Sequence, residues 1–137
     1  AFAFVGCVAH SGGGSSTAVA TSNKPITITS PATLSNVSSP LKVCMATKGY
    51  TVEPAKKGVN PGKGHHHLLI DVSIPSDLSK RIGKDSNHVH MGDGSKCKTL
   101  NLAKGQHTIT ALFAQGNHVP YNPVVSDAVT VTVTHVK

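Results

Sequence analysis

The chain predicts an all-β fold, an antiparallel immunoglobulin-like β-sandwich with an extended N-terminal strand. Its 137 residues include 14 Ser and 13 Thr with Val and Ile set between them, a mixture that suits half-buried strands and disfavours helices. From about residue 25 onward, apolar runs are cut by Pro, Gly, Asn and Asp turns into six or seven strands at roughly 10–15-residue spacing. The last run, DAVTVTVTHVK, alternates without interruption, with Val129, Val131 and Val133 on one face and Thr130, Thr132 and Thr134 on the other. The length suits one core, here a sandwich over 17–137 preceded by an apolar strand and Gly/Ser linker over 1–16.

Each run has its own pattern. PITITSP puts Ile26 and Ile28 on one face, and LKVCMAT groups Leu41, Val43 and Met45 opposite Lys42 and Cys44. HHHLLIDVSIP is apolar on both faces and so belongs inside a sheet. SIPSDLSKRIGKDSN has room for one helical turn at Asp77–Ile82. KCKTLNL sends Leu100 and Leu102 inward and Cys97 outward, and QHTITALFA aligns His107, Ile109, Ala111 and Phe113.

The balance of charge excludes some functions. Net charge is +7, but twelve of the thirteen basic residues are Lys and only Arg81 is Arg; aromatics make up 4% of the chain. Base readers lean on Arg forks and single-strand platforms on aromatic faces, so a nucleic-acid partner is not expected. No apolar run approaches the roughly 18 residues of a membrane helix, so no transmembrane segment is expected. A start at Ala1 is what cleavage after an upstream small-residue site would leave. With three Cys, this predicts an exported protein, extracellular, at the cell surface or periplasmic.

What stands out is nine His, most of them in motifs. His65, His66 and His67 lie in GHHHLLID, His88 and His90 in NHVHMGDG, and His118 in QGNHVPYNP. On a strand His65 and His67 share a face, as do His88 and His90, so each pair is a two-point imidazole grip. Four neutral imidazoles suit Cu, Zn, Ni or Fe, and the affinity order of divalent metals favours copper. Met91 offers a thioether to Cu(I), and Asp71, on the face of His65 and His67, is a candidate acceptor for a ligand ring or an ordinary strand-end acid. His10 and His135 are read as ordinary polar residues, and His107 as a hydrogen-bonding residue at a strand start.

GHHHLLID, then H-x-H-M-G-D-G, G-x-H-T-I-T and NHVPYNPVVS resemble, in order, a family of small exported domains of unknown function marked by an HHHLLID motif. The resemblance spans roughly residues 25–135. It implies a β-sandwich, secreted or periplasmic, with no settled activity, and maps His65, His66, His67, His88, His90, His107 and His118 onto the family's His positions. Tyr121 replaces the family's second turn His, and Met91 the aromatic after H-x-H. HVHMGDG also looks faintly like the His-Val-His stretch of copper/zinc superoxide dismutases, whose remaining pattern is not recognisable.

Cys44 and Cys97 both point away from the main apolar parity, and a bridge between them closes a loop of about 50 residues. The rival pairing joins Cys7 to one of them; otherwise Cys7 is the odd thiol, available to a second chain. Phe2 and Phe4 sit in an apolar stretch leashed by SGGGSS. Residues 1–10 are either the first strand of their own sandwich or a strand added to a neighbouring copy, an arrangement that builds filaments.

The sequence therefore predicts a non-enzymatic exported sandwich. It binds copper or another transition metal through His65, His67, His88, His90 and His118, and assembles as a homo-oligomer or filament through Phe2, Phe4 and Cys7. A metal-free structural fibre subunit and a copper-dependent superoxide dismutase-like enzyme are the alternatives.

Overall fold

The alternating runs close into two packed sheets. The computed structural model describes residues 23–137; the strand-addition segment with Phe2, Phe4, Cys7 and His10 lies outside the described residues, and so do the expectations placed on it. Nine strands form among the described residues: β1 (Ile26–Ser30), β2 (Ser35–Ser39), β3 (Leu41–Thr47), β4 (Thr51–Val52), β5 (Lys63–Ile70), β6 (His88–His90), β7 (Cys97–Leu100), β8 (Gly105–Ala114) and β9 (Ser126–Val136). One sheet runs β1-β3-β7 and the other β2-β9-β8-β5-β4, with β6 also on β5.

The core between the sheets is made by period-2 faces. Ile26 and Ile28 of β1, with Leu41, Val43 and Met45 of β3, meet Leu68 and Ile70 of β5, Ile109, Ala111 and Phe113 of β8, and Val129, Val131 and Val133 of β9. A side chain of this kind contributes roughly 1.5–3 kcal/mol when fully buried, and Phe113 is fully buried. The sandwich is largely antiparallel, but β2 pairs with β9 and β4 with β5 in parallel. β2 is the polar SNVSS, whose side chains show no alternation; its place follows from the free edge of β9.

Both faces of β5 and β8 are covered. Behind the core, Leu69, Leu112 and Ala114 pack with Ile82, and Val72 and Ile74 lie against them. The connection from β5 to β6 thus folds back over the outer face of the larger sheet. The helical turn expected at Asp77–Ile82 does not form: the Asp77 carboxylate accepts the Ser79 N–H at 3.0 Å, which ties the chain into a turn instead. The one short 3-10 turn among the described residues is Ala55–Lys57.

Cys44 and Cys97 face each other in the β3–β7 ladder and form a disulfide, with Cα atoms 4.1 Å apart.

Candidate metal centre

Strand β5 sends its three histidines in two directions. His66 follows Leu68 and Ile70 into the core and meets Phe113 edge-on, 5.3 Å between ring centres. His65 and His67 point to the opposite, outer face. The β5–β6 ladder then sets His90 directly beside His67. His118 arrives from the turn after β8, with φ 69. That left-handed conformation costs a non-glycine residue roughly 1–2 kcal/mol. Two backbone bonds hold it: His118 N–H donates to Gln115 O at 2.8 Å, and His118 O accepts from Ile82 N–H at 2.9 Å.

His65, His67, His90 and His118 converge. Every pair among the four rings lies between 4.3 and 5.7 Å, centre to centre. One nitrogen from each falls within 4.8 Å of the others. His65 Nε2 is 3.0 Å from His118 Nδ1 and 3.1 Å from His67 Nε2. Four nitrogens each about 2.0–2.1 Å from one ion stand about 2.9–3.4 Å from their nearest neighbours, so the separations of His65 from His118 and from His67 match those of a coordination shell.

Proton accounting leads to the same place. Burial, reinforced by neighbouring histidines, lowers His67 to about 2 and His65 to about 4; burial, then neighbouring charge, also lowers His90 and His118. All four are therefore neutral imidazoles near pH 7. A neutral ring nitrogen carries either one proton or one lone pair. His65 Nε2 can thus make one well-formed bond, yet two nitrogens approach it. A cation accepting all the lone pairs removes that conflict.

The other predicted residues lie elsewhere. His88 is beside Leu69 in the ladder, two pairs along from His67 and His90, and its Nδ1 meets Asp85 Oδ1 at 2.7 Å. Of the five histidines expected as ligands, four converge and His88 stands apart, because sharing a face with His90 does not bring it to the same level of the ladder. Met91 is buried in the apolar core. Asp71 turns off β5 with φ 60 and accepts from His107 Nδ1 at 2.7 Å; it orients His107, whose Nε2 donates to Ala103 O at 2.7 Å, and not His65 or His67. Tyr121 donates its hydroxyl to Lys63 O at 2.6 Å and packs on Tyr50.

Sequence reasoning missed two features. A Cβ on Gly92 would overlap Cε1 and Nε2 of His90, so this glycine makes the space that ring occupies; the G-D-G after H-x-H was its signal. A cavity of about 200 Å³ opens at the cluster, lined by Arg81, Ile82 and Lys84 beside His67, His90 and His118. His65 and His67 are both buried, and His65 is the one of the four that does not line the cavity.

A family profile described as Domain of unknown function (DUF4399) matches residues 43–134. No curated protein matches the chain. Among solved structures, the fibronectin(III)-like modules of Clostridium thermocellum CbhA are similar at 13% identity, covering 82% of this chain and 99% of that one with a TM-score of 0.45.

Proposed function

The chain belongs to the DUF4399 family, a domain of unknown function, and from that premise we propose that it is an exported β-sandwich that binds copper through His65, His67, His90 and His118. The carrying observation is the convergence of four neutral imidazoles within 4.8 Å, with no carboxylate among them. A hard cation wants oxygen ligands, whereas an all-imidazole set follows the affinity order that peaks at Cu(II). The disulfide agrees with an oxidising compartment. The role is to hold and exchange copper: His65 is sealed, while His67, His90 and His118 line an opening. The Gly-leashed residues 1–10, with Phe2, Phe4 and Cys7, are part of the same proposal, as the strand by which copies assemble into a surface filament.

One observation favours a second reading, a metal-free structural cluster. His65 and His67 turn Nε2 into the cluster, and their Nδ1 atoms are buried with no hydrogen-bond partner, whereas ligand histidines usually donate their second nitrogen to a carbonyl or carboxylate. Metal analysis of protein purified without chelator separates the two. About one equivalent of copper per chain, lost in a His67→Ala, His90→Ala double variant that still folds, supports the copper reading. Copper well below one equivalent, with no tight uptake on titration, leaves the structural cluster.

A further inference from the structure

The side chains at the mouth of the cluster carry charge of the wrong sign for attracting a cation. Arg81 and Lys84 line the cavity beside His67, His90 and His118. Arg81 is the chain's single Arg. Among the described residues neither Arg81 nor Lys84 forms a salt bridge, while other cations do, such as Lys24 with Asp127. Both are exposed, so their charged ends are accessible. A guanidinium fork and an ammonium beside a concave opening form a receptor for a small anion.

The sum of charges makes the same demand. An imidazole ligand brings no negative charge, so four of them would leave the full charge of a divalent ion uncompensated, and two further cations stand at the open side. An anion at that position would be attracted by all three.

We propose that the cavity lined by Arg81, Lys84, His67, His90 and His118 takes a small anion, carboxylate-sized or smaller, as a further ligand to the bound metal, with Arg81 and Lys84 gripping its outer atoms. This rests on the copper reading above. Three of the four ligands line the cavity and His65 does not, so the anion enters from the cavity side.

The test uses the full chain loaded with Cu(II), with azide as the probe. Copper content is measured first. Azide should then add a charge-transfer band in the near ultraviolet and change the copper electron paramagnetic resonance signal. In an Arg81→Gln, Lys84→Gln double variant azide affinity should fall about tenfold or more, because focusing by positive charge has been removed, while copper is retained. Raising ionic strength should weaken azide binding to the unaltered chain. A spectrum indifferent to azide while copper is bound overturns the proposal, as does a double variant that binds azide as tightly as the parent. Equal azide binding to the copper-free chain overturns the assignment as a metal ligand. Failure to bind copper in the first step instead overturns the reading on which this one rests.

Discussion

Gly92→Ala isolates the role of His90. The backbone at Gly92 has no left-handed φ, so alanine is conformationally allowed; the conflict is with the imidazole, whose Cε1 and Nε2 the new Cβ would overlap. The backbone is poorly placed to yield, because Gly92 O accepts Ala55 N–H at 2.8 Å and Met91 N–H donates to His66 O at 3.1 Å. The ring must retreat by about an ångström to reach an ordinary carbon contact of about 3.5 Å. Metal–ligand distances tolerate only about 0.2 Å, so that retreat takes His90 out of the shell. Displacing a ligand should cost at least as much as removing a ligand's hydrogen-bond partner, about 10- to 100-fold in copper affinity, or about 1.4–2.8 kcal/mol. Competition against a chromophoric chelator measures it, with circular dichroism to verify the fold. Unchanged affinity and an unchanged four-nitrogen copper signal in Gly92→Ala would refute the placement of His90 as a ligand.

Further predictions concern stability and titration. The metal-free chain should lose stability as pH falls below the ordinary histidine value of 6.5, since His65 and His66 are held at about 4 and His67 at about 2. The unfolded chain then takes up protons that the folded one refuses, and urea midpoints that are flat between pH 7 and 5 would contradict this. His107 has the opposite sign. The Asp71 hydrogen bond raises it, so its contribution is complete below 6.5 and disappears as pH rises through the folded value; proton NMR should show that value dropping toward 6.5 in Asp71→Asn. Replacing Cys44 and Cys97 by Ser opens a loop with a sequence separation of 53 and should lower stability by about 4 kcal/mol in the chain-entropy account, read from denaturant unfolding. His88→Ala should leave copper affinity unchanged, because His88 bonds Asp85 and stands outside the cluster; a tenfold loss would return it to the ligand set.

The strands were legible wherever one face alone was buried. Val129, Val131 and Val133 against three threonines specify both the strand and its inward side, and Leu41, Val43 and Met45 do the same for β3. β2 carries no such pattern, so its parallel place beside β9 comes from tertiary pairing alone. The histidine site was legible as to face. It was not legible as to level along the strand, because alternation says which side a residue takes but not which partner it meets. His88 and His90 are equivalent by parity; only the His67–His90 pairing separates them. Asp71 was assigned to the His65 face by continuing the alternation one residue past the point where β5 ends and the chain turns. Arg81 and Lys84 reach the site through the fold-back of a connection anchored by Ile82, a contact between distant residues that local spacing does not encode.

Strand β5 divides its side chains between two environments, with His66, Leu68 and Ile70 toward the apolar interior and His65 and His67 toward the cluster. A slip of one residue would exchange these sets, driving two imidazoles into the interior and turning Leu68 and Ile70 away from it. The segment therefore works as a gauge of its own alignment, because the off-by-one pairing fails on both sides of the sheet at once. The register of β5 against β8 is thus specified by side-chain burial alone, and a metal ion would meet a site already aligned.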